Sequence, residues 1–191
     1  KDSLYGVDQI AELVVSLRDF SRIDESKVKD VDINDCINTS LVMARNNLKT
    51  LDITTSLATL PLIQCNPSQI NQVLLNLFNN AAQAIAPDQK GELHIISAVD
   101  EEQQHVVVQV IDNGIGINEQ ALERIFEPFF TTKKAGDGTG LGLAISTQII
   151  EQHGGSIAAT SIVGEGTTFT IMLPIQSKTY ENKPSKTLFE G

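Results

Sequence analysis

Cysteine is scarce in this chain. Cys36 and Cys65 are the only two in 191 residues, and their spacing makes no metal-ligand pair. Two such residues suit reduced thiols in buried, structural roles. Basic residues are also short, at 14 Lys and Arg against 24 Asp and Glu, for a net charge of −10. That balance argues against a nucleic-acid backbone as the main partner, while leaving room for a small phosphate in a local site. No apolar run reaches the roughly 18 residues a membrane helix needs. The N-terminus lacks the basic-then-apolar pattern of a signal peptide. It starts at Lys1 rather than Met, so the chain is expected to be a piece of a longer protein. Internal repeats and low-complexity tracts are missing. What remains, 41% apolar and 20% charged residues, is the make-up of an ordinary globular domain with a real core.

The pattern along the chain alternates between helical and strand periods. Residues 3–23 carry Val7, Ile10, Val14, Leu17 and Phe20 at helical spacing, which predicts a helix with one apolar face. Asp24 to Lys29 reads as a charged linker, and Val28 to Ile33 as a short strand. Asn34 or Asp35 is expected to cap a helix running to about Asn46. "LDITTSLA" and "LIQCN" read as two short strands around a turn at Pro61. Asn66-Pro67-Ser68 then opens a helix to about Ile85, with Pro67 suited to its first turn. "ELHIISAV" and "HVVVQVID" form a predicted hairpin, and "SIAATSI" with "TTFTIMLP" a second one. Between them lie a short helix near residues 121–125 and a helix over residues 141–153 that stops at Gly154-Gly155. The order predicts an α+β fold: a two-layer sandwich, with helices on one face of a mixed, mostly antiparallel sheet.

Four segments carry residue choices that a plain core does not require. In "NLFNNAAQAI" the helix is interrupted by amides. At about 100° per residue, Asn76, Asn80 and Gln83 share a face beside the apolar stripe, and Asn79 is expected to turn away into water. Asparagine is a mediocre helix former, and a buried unpaired amide costs about 1–3 kcal/mol, so this face is expected to meet something polar. In "VIDNGIGI" an aspartate, Asp112, ends a buried strand, and Gly114 and Gly116 follow. These glycines suit either a plain turn or close approach of a ligand to the backbone. "IFEPFFTTKK" sets three Phe ahead of Lys133 and Lys134. "AGDGTGLGLAIS" runs Gly136, Gly138, Gly140 and Gly142 into a helix, an arrangement that exposes backbone N–H groups to an anion. A Walker A loop, the dinucleotide fingerprint and the eukaryotic protein-kinase motifs are all absent.

Taken in order and spacing, these segments resemble the N, G1, F and G2 boxes of the ATP-binding domain of sensor histidine kinases. That domain has the Bergerat fold, shared with DNA gyrase, mismatch-repair ATPases and heat-shock chaperone ATPases (the GHKL superfamily). "FEPFFTTK" with "GTGLGLAIS" points to the histidine-kinase branch. The resemblance implies ATP and Mg2+ as cofactors. Asn80 would hold the metal, supported by Asn76, and Gln83 would lie near the phosphates. Asp112 would accept from the adenine amine, Gly114 and Gly116 would shape the base pocket, and Thr167 would reach adenine from the last hairpin. Lys133 would meet the γ-phosphate, with Gly138, Gly140, Leu141 and Gly142 along the phosphates. Where the ATPase branches have a water-activating glutamate, this chain has Asn76, and an amide is no general base at neutral pH. Slow hydrolysis and transfer to a protein acceptor are therefore expected.

The acceptor histidine is the part not found. His94 and His105 fall in predicted strands and His153 at a helix end, all read as structural or solvated. The resemblance divides the chain into 1–25, the second helix of a dimerisation and histidine-phosphotransfer hairpin, 26–175, the catalytic domain, and 176–191, a polar tail. It implies a histidine-bearing helix and a response-regulator receiver domain as partners, and a homodimer for the full-length protein. It also implies a cytoplasmic domain, in a protein whose anchoring in the inner membrane is left open. This piece alone is expected to bind ATP without autophosphorylating. A non-catalytic nucleotide-binding module and a serine or threonine kinase of the same fold are the alternatives.

Overall fold

Two helix starts are set by side chains that accept from the following backbone. Asp32 accepts from Asn34 N–H at 2.8 Å and caps α1 (Ile33–Ala44), while Asn66 accepts from Ser68 N–H and caps α2 (Pro67–Ala84). The computed structural model describes residues 28–100, 102, 104–133 and 138–175. The expected N-terminal helix and C-terminal tail lie outside the described residues. Within them the remaining elements are β1 (Lys29–Val31), β2 (Leu51–Leu57), β3 (Ile63–Cys65), β4 (Gly91–Val99), β5 (His105–Asp112), α3 (Glu119–Leu122), α4 (Gly142–Gln152), β6 (Ser156–Ile162) and β7 (Gly166–Pro174).

The five-stranded sheet has the order β2-β4-β5-β7-β6, with β2 parallel to β4 and every other pair antiparallel. The alternation of β4, β5 and β7 puts Leu93, Ile95, Val106, Val108, Val110, Phe169, Ile171 and Leu173 on one buried face. Onto that face α2 lays Ile70, Val73, Leu74, Leu77, Phe78 and Ala81. Truncating Phe78, which is fully buried, to Ala would cost about 3–5 kcal/mol. Helices α1 and α4 flank α2 on either side. The expected two-layer, mostly antiparallel sandwich is the observed one.

Two expectations are corrected in detail and a third is refined. The α1 cap is Asp32, not Asn34 or Asp35, because Asp32 stays extended and reaches the free N–H groups of the first turn. Both strands expected around Pro61 form, and they enter different sheets: β2 joins the large sheet beside β4, and β3 pairs with β1 in a separate two-stranded sheet. The segment between them, with Leu60 buried and Leu62 exposed, carries the chain from one sheet to the other. Asn79 does not simply face water. It is half-buried, and its Oδ1 accepts from Asn47 Nδ2 at 2.8 Å, tying α2 to the segment after α1.

Candidate nucleotide site

Helix α2 is the spine of the site. Its amide-bearing face meets a different loop at each turn. Asn76 comes first. Its Nδ2 donates to Ser146 Oγ on α4 at 3.0 Å, and Ser146 in turn donates to the Gly142 carbonyl at 2.9 Å. A Cβ on Gly142 would stand 2.3 Å from Asn76 Oδ1, so glycine there is what lets α4 begin against the amide. One turn on, Asn80 Oδ1 accepts from Lys133 Nζ at 3.3 Å, and the same ammonium donates to Gln83 Oε1. Asn80 is half-buried, and Gln83 and Lys133 are exposed. At the end of α2, the Ala84 carbonyl accepts from Ile115 N–H at 2.9 Å, and Gly114 packs so closely on Ala84 that a Cβ would lie 2.7 Å from its oxygen. From Asn76 to Ala84 the helix rises about 12 Å. The glycine-rich loop, the lysine and the aspartate loop are therefore strung along one helix face.

Asp112 continues the inward alternation of β5, so its carboxylate emerges on the buried face where Val106, Val108 and Val110 are apolar. It is 5% exposed. Burial raises its pKa above the ordinary carboxylate value, opposed by hydrogen bonds from the Gly114 and Thr167 backbone N–H groups. Thr167, its register partner on β7, is also buried, with its hydroxyl 3.0 Å from Ser161 Oγ. Ser161 donates to the Gly166 carbonyl and accepts from Ile117 N–H. Gly116 has φ +70°, and a Cβ there would meet the Ile162 carbonyl at 2.2 Å. Asp112, Gly114, Gly116 and Thr167 are thus held in one close-packed frame at the ends of β5, β6 and β7.

At the other end, Phe129 N–H donates to the Gly140 carbonyl at 2.9 Å, joining the phenylalanine segment to the glycine loop. Both residues have φ +67°. Gly138 lies against the Lys133 side chain, and Leu141 is buried where the loop turns into α4. An open cavity of about 570 Å³ flanks this end, lined by Asn76, Thr139, Gly142, Met43 and Leu75 among others.

The twelve expected site residues therefore lie along the α2 face, in the loops fastened to it, or, for Asp112 and Thr167, at the paired ends of β5 and β7. Ser146, Ser161 and Gly166 were not singled out from the sequence. Ser146 sits one turn into α4 from Gly142, so helical spacing from the glycine loop was the signal available. Among the described residues no cluster of three or more His, Cys, Asp or Glu could hold a metal. A hard cation here would rest on an amide oxygen, and the position of the Lys133 ammonium against Asn80 Oδ1 marks where positive charge is accepted.

Comparison with known proteins agrees with this fold. Residues 65–177 match the family model of the histidine kinase-, DNA gyrase B-, and HSP90-like ATPases. The chain is 40% identical to the sensor histidine kinase ZraS of Escherichia coli K12 over 171 residues, covering 88% of this chain and 36% of ZraS. It thus spans about a third of the length of that relative. Among solved structures, the catalytic domain of histidine kinase ThkA is similar with a TM-score of 0.68 and 31% identity, over 78% of this chain and 96% of that one. Full-length ShkA, solved in complex with AMPPNP, is similar with a TM-score of 0.67 and 28% identity, over 78% of this chain and 31% of ShkA. The chain belongs to the histidine kinase-, DNA gyrase B-, and HSP90-like ATPase family, as a catalytic domain of the sensor histidine kinase kind.

Proposed function

We propose that this chain binds ATP along the α2 face and directs its γ-phosphoryl group to a histidine on a dimerisation helix of the longer protein, for relay to an aspartate of a response regulator. The observation that carries this reading is the line of contacts from Asn76 through Asn80 and Gln83 to Ala84, which joins an anion-suited loop to a buried carboxylate. Asp112 keeps lone pairs beyond those that accept from Gly114 and Thr167, and these suit an exocyclic amine. Guanine presents a carbonyl at that place, so the carboxylate favours adenine. Gly138, Gly140 and Gly142 leave backbone N–H groups at the start of α4 for the phosphates.

Mg2+ fits the donor set, since it takes few protein ligands beside phosphate oxygens and water. Asn80 would hold it through Oδ1. Bound there, it would neutralise charge on the β- and γ-phosphates. Lys133 is then the residue released toward the γ-phosphate. In the transfer, the bond from the γ-phosphorus to the ADP oxygen breaks as one to the imidazole nitrogen forms. ADP leaves with the electron pair, and the imidazole proton passes to a base or to water.

Asn76 favours transfer over hydrolysis, because its amide cannot activate water. The cavity beside Asn76, Thr139 and Gly142 supports a macromolecular acceptor, since it leaves the phosphate end open on the α1 side. Calorimetric titration with a non-hydrolysable ATP analogue, with and without Mg2+, tests the first half. Transfer of ³²P from ATP to a separately supplied histidine-bearing hairpin tests the second. Acid-labile labelling of the hairpin is expected, with none on this chain alone. Acid-stable label would assign the chain to serine or threonine kinases of the same fold. Binding without transfer would leave it a regulatory nucleotide module.

A further inference from the structure

Helices α2 and α4 run antiparallel, and they are cross-tied twice. The Asn76–Ser146 bond is the tie at the phosphate end. The other lies at the far end and involves His153, the residue that ends α4. Its Nε2 is 3.0 Å from the backbone N of Asn66, and its Nδ1 is 2.7 Å from the Ile149 carbonyl oxygen. Asn66 is 4% exposed and is the cap residue of α2. A backbone N–H can only donate, so Nε2 must be the acceptor. A carbonyl can only accept, so Nδ1 must carry the hydrogen. One neutral tautomer alone satisfies both contacts.

We propose that His153 is a positioning residue for the nucleotide site, acting through this strut. The strut fixes where α2 begins relative to where α4 ends. The register between the helices then fixes Asn76 against Gly142 and Ser146 at the phosphate end. Gly142 leaves little room there: a Cβ would stand 2.3 Å from Asn76 Oδ1, so a shift of one helix along the other displaces the Asn76 amide from its bond to Ser146. Losing the strut also leaves the buried Asn66 N–H without its acceptor, at the position that starts the helix carrying Asn76, Asn80 and Gln83. The role rests on the proposed ATP binding at this site.

The test uses the full 191-residue chain. In ¹⁵N-labelled native protein, the imidazole shifts of His153 are expected to show Nδ1 protonated and Nε2 bare, whether or not nucleotide binds. The opposite tautomer overturns the strut. Affinity for a non-hydrolysable ATP analogue with Mg2+ is then compared across three variants. His153→Gln reaches as far as Nε2 and offers an acceptor, so it should stay within about threefold of native, whereas His153→Leu and the shorter His153→Asn should bind about tenfold more weakly, as for a lost bond to a buried donor. Should His153→Leu fail to fold, the contrast between Gln and Asn still decides. Native affinity in the Asn variant, or failure of Gln to restore it, overturns the positioning role. Native protein that binds no nucleotide overturns the site reading, and the proposed role falls with it, while the tautomer still reports the strut itself.

Discussion

Asp112 stands at the end of an inward-facing row of valines, and a valine there would continue the core without any desolvation cost. The fold instead holds a carboxylate between the Gly114 and Thr167 N–H groups, and burial still leaves its pKa raised. A raised carboxyl pKa means the folded chain holds that proton more tightly than the unfolded chain. Its contribution to stability is then fully present below the unfolded pKa and is lost as pH rises through the folded one. Adenine recognition has the opposite demand, since it needs the ionised form as acceptor. As pH falls through the acid range, stability from this residue should rise while nucleotide affinity falls. Asp112→Asn should remove both trends and weaken analogue binding by about 1–3 kcal/mol, because an amide presents a donor where an acceptor was needed. Thermal melts and calorimetry on native and variant protein across pH 4–7 check this by difference, since other carboxylates titrate in both (the range brackets the ordinary carboxyl value upward). A variant that binds as tightly as native protein would remove Asp112 from the site.

At the scale of elements, the helix face was legible and its partners were not. Helical periodicity placed Asn76, Asn80 and Gln83 together because their spacing alone sets their azimuth, whatever packs nearby. Asn79 was misjudged because its partner, Asn47, follows a different helix and no local pattern links the two. The β2 and β3 segments look alike in sequence, yet they join different sheets. Strand pairing is a long-range choice, and β2 takes β4 as a parallel neighbour 40 residues on in register (Leu51 with Gly91). The glycine loop can be probed at this scale. Gly142→Ala adds a Cβ 2.3 Å from the Asn76 amide oxygen, a side-chain atom that can swing away at the cost of its bond to Ser146. Alanine also suits a helix better than glycine by about 1 kcal/mol. The variant should therefore melt within a few degrees of native protein, a shift on the scale of ~1 kcal/mol, while binding the analogue about tenfold more weakly, the effect of a displaced polar contact. Gly166→Ala is the contrast. Its Cβ would fall 1.9 Å from the Asp112 backbone oxygen, at φ +132°, so the fold itself should fail. Melting both variants separates a site effect from a collapse of the β5–β7 edge.

For the whole molecule, the proposed function divides the work of binding from the work of transfer between two faces of the site. The residues proposed to hold the base and the phosphates all belong to this chain, and they are tied to one another across β5, β7, α2 and α4. None of the three histidines is proposed as the acceptor, and each is hydrogen-bonded within the fold: His94 Nε2 with Ser56, His105 Nδ1 with Asp100, and His153 with Asn66 and Ile149. On the proposed function, the acceptor would come from outside these residues, and the open cavity on the α1 side is where it would reach Asn76 and Gly142. Met43 at its rim is 60% exposed, a large apolar side chain with nothing to gain from water. Met43→Asp should leave folding and analogue affinity near native values, because its side chain is already exposed and is not among the residues assigned to the nucleotide. It should slow ³²P transfer to a supplied hairpin by about tenfold, as a charge placed in an apolar contact costs at least ~1.4 kcal/mol on docking. Equal transfer rates in native and variant protein would move the acceptor's approach to the opposite side of the phosphates, toward the exposed Phe129.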